Sequence, residues 1–159
     1  MFAAGNSAGA TAANYIEDVF STYLYTGTDT TNTINNGIDL SGKGGLTWIK
    51  SRSAATRHCL FDTARGAYQL LSSDQTLGSV DTSPYDLSAF NNNGFTLQQS
   101  GYGTNASGAT YASWTFRKQP KFFDVVTYTG TGAVQNIAHN LGAVPGCIIV
   151  KDCTNAGSA

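Results

Sequence analysis

Apolar and polar positions alternate along this chain in short bursts, and no stretch sustains the spacing of an amphipathic helix. Residues 20–25, 46–50, 57–62, 67–72, 95–99 and 111–118 carry aromatic, branched or other apolar side chains suited to a pleated, half-buried surface. Turn-forming residues separate them: Asn36-Gly37, Gly42-Lys43-Gly44-Gly45, Thr63-Ala64-Arg65-Gly66 and Asn91-Asn92-Asn93-Gly94. The clearest alternation runs over 111–118. It sets Tyr111, Ser113, Thr115 and Arg117 on one face and Ala112, Trp114, Phe116 and Lys118 on the other. Residues 74–90 hold Pro84 and read as a loop. A short helix is predicted over 11–23, with Tyr15, Ile16, Val19 and Phe20 on one side, although 20–25 also has strong strand propensity. About seven or more short strands with frequent turns predict an all-β fold, an antiparallel β-sandwich. By size, Trp48 and Trp114 are expected in its core.

A second pattern is longer. Tyr25-Thr26-Gly27-Thr28 recurs 103 positions later as Tyr128-Thr129-Gly130-Thr131. Ile34 then answers to Ile137, and Leu46-Thr47-Trp48-Ile49-Lys50 to Cys147-Ile148-Ile149-Val150-Lys151. The repeat unit has the size of a domain, not of a solenoid repeat. It divides the chain into an Ala/Gly-rich arm (1–18), a sandwich (19–118), a linker (119–121) and a partial second copy (122–159). Strands are predicted at 122–128 and 147–151. A few strands cannot bury an apolar face alone. Val125, Val126, Ile148, Ile149 and Val150 therefore need a neighbour: further chain, another subunit, or the first domain.

Composition narrows the function classes. Charged residues make up 12% of the chain, about half the usual share, so Thr, Ser, Asn, Gln and Gly must supply the polar surface. Nine Lys+Arg against ten Asp+Glu give a net charge of −1 and no basic field for nucleic acid. Residues 1–14 lack the basic start and apolar middle of a signal peptide, and no run is long enough for a membrane span, so no membrane insertion is expected. Cys59, Cys147 and Cys153 make no disulfide framework and no zinc spacing. They are expected to be reduced and mostly buried, in a chain made in a reducing cytosol.

Candidate chemistry is sparse. Gly42-Lys43-Gly44-Gly45 lacks the GxxxxGK[ST] pattern and precedes a strand, so it reads as a loop and not as a phosphate cradle. His58 and Asp62, four apart on a strand, sit about 13 Å apart, too far to share a metal or a proton. His139 lies in a turn-like segment, and neither GxSxG nor HExxH occurs. Glu17 is the sole glutamate, and Asp62, Asp74, Asp81 and Asp86 form no recognisable acid pair. Such aspartates more often bond their own turns. No catalytic, cofactor or metal residue is assigned, and a calcium ion in the Asp-rich loops stays open. Tyr85 and Tyr102, in predicted loops, are candidates for stacking on a sugar, with Asn105 as their polar companion; the alternative is that the rings cover the sheet ends.

Several runs carry a family resemblance. They are Gly45-Leu46-Thr47-Trp48-Ile49-Lys50-Ser51-Arg52, His58-Cys59-Leu60-Phe61-Asp62-Thr63-Ala64-Arg65-Gly66, Gly94-Phe95-Thr96-Leu97, Tyr111-Ala112-Ser113-Trp114-Thr115-Phe116-Arg117-Lys118 and Val144-Pro145-Gly146-Cys147-Ile148-Ile149-Val150-Lys151. Over residues 16–152 the chain resembles a domain family of tail fibre and related structural proteins of marine bacteriophages. The resemblance implies a jelly-roll sandwich similar to concanavalin- and laminin-G-type lectins. It also implies a place on the virion, synthesis in the host cytoplasm, and a homotrimeric adhesion fibre. The arm 1–18 would then join tail or adaptor proteins, residues 122–159 would mediate association or begin a next domain, and a host surface glycan would be the ligand. A capsid decoration or head-fibre protein, and a polysaccharide-degrading enzyme, are the alternative readings.

Overall fold

A computed structural model describes residues 15–154. A single 3₁₀ turn, Ile16–Asp18, leads into β1 (Phe20–Thr26). The helix predicted over 11–23 is therefore reduced, in its described part, to that turn; residues 11–14 and most of the arm 1–18 lie outside the described residues. Strand propensity wins because β1 gains a full antiparallel ladder, Phe20 to Thr26 against Phe116 to Thr110. Among the described residues eight more strands follow: β2 (Asn32–Asn35), β3 (Gly45–Ser51), β4 (Cys59–Asp62), β5 (Gln69–Ser72), β6 (Val80–Asp81), β7 (Leu87–Asn91), β8 (Gly94–Leu97) and β9 (Thr110–Arg117). The stretch expected as a loop, 74–90, thus contains β6 and most of β7. Both are short, and their residues are too mixed to show a period.

All ladders are antiparallel. One sheet has the order β1-β9-β3-β4-β5-β6 and the other β2-β8-β7. Ile49, Cys59, Phe61, Leu70 and Tyr111 from the first sheet and Ile34, Leu87, Phe95 and Leu97 from the second form one buried core. The fold is the all-β antiparallel sandwich that the short alternating runs predict.

The faces of β3 and β9 hold the main surprise. On β3, Gly45, Thr47, Ile49 and Ser51 are buried and point to the core, while Leu46, Trp48 and Lys50 are half-buried on the outer side. Across the ladder Thr47 pairs with Thr115 and Trp48 with Trp114. Trp48 and Trp114 are therefore on the outer face of the six-stranded sheet and not between the sheets, contrary to the expectation from size. Small inward hydroxyl residues let Ile38 and Leu40, both fully buried, come close to the sheet from the segment after β2. Asn36 joins them by donating from Nδ2 to Thr115 Oγ1 at 2.8 Å. A Cβ at Gly45 would run into the Phe116 carbonyl and the Leu40 side chain, so this strand needs glycine there.

The β4–β5 connection is capped by an ion pair. Asp62 Oδ2 accepts from Arg65 Nε at 2.7 Å, and Asp62 Oδ1 accepts the N–H groups of Ala64 and Arg65. Beyond β9 the picture changes. Residues 124–154 form no strand, and Gln119 and Phe123 make an isolated bridge. The strands predicted at 122–128 and 147–151 are absent, and Val134, Val144, Ile148, Ile149 and Val150 are more than two-thirds exposed. Without a ladder partner an extended segment keeps no strand hydrogen bonds.

Candidate functional site

Two regions stand out. The first is the outer face of the six-stranded sheet. Trp48 and Trp114 meet edge to face with centroids 6.0 Å apart, and Phe116 is flanked by Phe20 at 4.9 Å and Phe123 at 5.3 Å. His58 borders Trp48 and accepts its indole N–H on Nδ1 at 3.1 Å. Trp48, His58, Trp114 and Phe116 line an open groove of about 300 Å³ with almost wholly apolar walls. His58 is thus used as a rim acceptor, and Asp62 is committed to Arg65, so the two share no site. The chemistry available here is stacking and apolar contact.

The second region is the loop end built by residues 98–109. Tyr85 is 42% exposed, and Tyr102 is half-buried under the Arg57 guanidinium, 5.2 Å from the ring centre. A Cβ at Gly101 would lie 3.0 Å from Tyr85 Cβ, so these two loops adjoin. The structure thus brings Tyr85 beside the Tyr102 loop but removes Asn105 from any ligand surface. Asn105 is fully buried. Its Nδ2 donates to the carbonyls of Thr30 and Gln98 at 2.7 and 2.8 Å, and its Oδ1 accepts from Thr28 N and Asn32 Nδ2. An amide with two donors and two acceptor sites filled has nothing left for a ligand.

Beneath this loop lies Asp86, fully buried. Burial pushes its carboxyl upward, against the Thr104 hydroxyl at 2.6 Å and the backbone N–H groups of Tyr102 and Gly101, which favour the charged form. Tyr25 and Tyr111 stack at 5.0 Å, and burial raises both phenols. Tyr25 donates to the Thr104 carbonyl at 2.6 Å, and Tyr111 accepts from Ala106 N–H at 2.9 Å. These groups pin the loop.

The other candidate aspartates accept backbone N–H groups, Asp81 within its own turn and Asp74 from a segment sixteen residues away. Asp74 accepts the His58 N–H and Asp81 the Ser83 N–H, each at 2.9 Å. Among the described residues no three His, Cys, Asp or Glu side chains gather in a way that could hold a metal ion. Cys59 is buried, and burial pushes its thiol up to about 12, whereas Cys147 is exposed and Cys153 half-buried. The cysteines are therefore not mostly buried, since the strand expected to hide Cys147 does not form. Among the described residues no helix is long and apolar enough to cross a membrane.

The sequence reading missed the aromatic face. Its signal lay in each strand's end: Leu46-x-Trp48-x-Lys50 and Trp114-x-Phe116-x-Lys118 put a lysine on the aromatic side, which marks the solvent side.

Fold and site together define an antiparallel β-sandwich with an aromatic outer face and a clamped loop end. The chain belongs to the family described as Domain of unknown function (DUF7483), which matches residues 16–159. No curated protein and no solved structure matches it.

Proposed function

We propose that the chain is a structural and adhesion module of a virus particle, of the tail-fibre type, and not an enzyme. The observation that carries this reading is the aromatic outer face. An apolar groove lined by Trp48, His58, Trp114 and Phe116, with no carboxylate among its described lining residues, is suited to association and not to bond cleavage. The low charge of the chain and the resemblance of its strand motifs to phage fibre domains support the same reading. In a homotrimer the aromatic faces of neighbouring copies cover one another. The Tyr85–Tyr102 loop end, with Arg57 over the ring, is left for a host glycan.

The test has three arms. Light scattering on the purified chain is expected to give a trimer, and Trp114→Ser a monomer. Immunogold labelling is expected to place the chain on the tail of the particle; labelling of the capsid shell would favour decoration instead. Surface polysaccharide is expected to bind without being shortened, and Tyr85→Ala to weaken the binding. Depolymerisation of that polysaccharide would overturn the assignment.

A further inference from the structure

Positive charge gathers at one place in a chain whose net charge is −1. Between Asp39 and Asp62 the sequence holds no Asp or Glu, yet it carries Lys43, Lys50, Arg52 and Arg57, four of the nine Lys+Arg. Lys43 precedes β3 and is carried to the opposite end of that strand from Lys50. Lys50 and Arg57 stay together: Lys50 Nζ donates to Thr56 O at 2.9 Å, one residue before Arg57.

Other cations of the fold have their acceptors. The Arg65 guanidinium is taken by Asp62, by the Gln69 and Leu60 carbonyls and by the Ser79 hydroxyl. Lys118 pairs with Asp124. Arg57 differs. Among the described residues no carboxylate pairs with it and no acceptor takes its guanidinium N–H groups; the guanidinium lies 5.2 Å above the centre of the Tyr102 ring. Two acids of the neighbouring segments are already used. Asp74 accepts the His58 N–H, and the buried Asp86 holds the Thr104 hydroxyl and the Tyr102 N–H.

The seat of this cation is built from both sides. Lys50 holds the carbonyls of Ala54 and Thr56, which fixes the turn that delivers Arg57. A Cβ at Gly103 would lie 2.8 Å from the Thr56 side chain, so the loop after Tyr102 is pressed onto that turn. The ring attracts the cation and holds it in place. One residue back, a Cβ at Gly101 would lie 3.0 Å from Tyr85 Cβ, and Tyr85 is 42% exposed. The exposed ring and the unpaired guanidinium thus adjoin two consecutive residues, Gly101 and Tyr102.

We propose that the ligand of this loop end is an acidic sugar, whose carboxylate takes the Arg57 guanidinium while its apolar ring face rests on Tyr85. A guanidinium presents planar paired donors that match a carboxylate, and one already held on a ring loses less freedom on binding. A neutral sugar of the same shape gains nothing from the charge. This inference rests on the glycan reading of the Tyr85–Tyr102 loop end and names the class of glycan.

The probes are hexagalacturonate and sialyllactose, each compared with its methyl ester, which keeps the sugar and removes the charge. Titration calorimetry on the full chain is expected to show at least one acid binding about tenfold or more tightly than its ester. The preference is expected to fade as salt rises from roughly 50 to 500 mM. Arg57→Gln is expected to keep the circular dichroism of the parent and to bind acid and ester alike. Arg52→Gln, which removes an exposed cation of the same run, is expected to keep the preference. Equal binding of both acids and their esters by the parent overturns the proposal, as does a preference that survives Arg57→Gln. Loss of the preference in Arg52→Gln overturns it too, since a general field and not the Arg57 seat would then be at work. Surface polysaccharide that binds through Tyr85 while neither acid is preferred sinks the acidic-sugar inference and leaves the glycan reading standing. Absence of binding by acids, esters and surface polysaccharide alike sinks both.

Discussion

Asp86 concentrates the tension of this fold in one side chain. Its carboxyl is fully buried, yet three donors from the 101–104 loop converge on it. Burial outweighs those donors and raises its pKa above the ordinary 3.8. The folded state then binds this proton more tightly than the unfolded state does. Its contribution to stability is full below the unfolded pKa and is lost as pH rises through the folded value. Asp86→Asn has no such proton, and it turns an NH₂ towards N–H donors, a mismatch that costs about 1–3 kcal/mol. Urea unfolding across a pH series is expected to show the variant less stable, with a deficit that is largest in acid and shrinks as pH rises from 3.8 upward. A deficit that grows with pH would show that the folded carboxyl is not raised. None of this was legible in the sequence, where Asp86 is one aspartate among several in a stretch read as a loop. Its burial follows from the distant 98–105 segment folding over it.

At the scale of elements, the alternation in 111–118 was read correctly as a strand with two distinct faces, but it did not say which face looks inward. Size argued for the tryptophans. The structure chose Thr47, Ser113 and Thr115 because Ile38, Leu40 and Asn36 need to approach the sheet closely. That approach is a tertiary fact, and only Lys50 and Lys118 hinted at it locally. The strands predicted at 122–128 and 147–151 fail for a related reason: strand propensity without a ladder to join does not make a strand. Gly45 and Gly146 separate the two cases. Gly45→Ala forces β3 away from β9 and is expected to lower stability by about 2 kcal/mol or more. Gly146→Ala is expected to stay within about 0.5 kcal/mol. Thermal melts of the two variants compare them directly, and equal losses would show that 146–152 is already packed like a strand.

For the whole molecule, the question is how much of the chain the sandwich needs. Every member of the buried core cluster lies between Tyr25 and Tyr111, and the last ladder ends at Arg117. The segment after Lys121 is fastened lightly. Lys121 N–H donates to Leu141 O and Ser79 N–H to Cys153 O, each at 2.8 Å, while Lys151 Nζ reaches Gln75 O at 2.9 Å. Phe123 packs on Phe116 of the sheet, a tilted pair worth about 0.5–1.5 kcal/mol beyond area. The Lys118–Asp124 pair adds little, because its lysine is partly solvated. A chain ending at Lys121 is therefore expected to keep the far-UV spectrum of a β-sandwich and a single cooperative urea transition, with stability lowered by about 1–2 kcal/mol. It keeps the Trp48–Trp114 face, so its oligomeric mass is expected to match that of the full chain. Loss of cooperative unfolding would show that residues 122–154 are part of the core. A fall to monomer with folding intact would move self-association from the aromatic face to the segment that repeats β1 and β3.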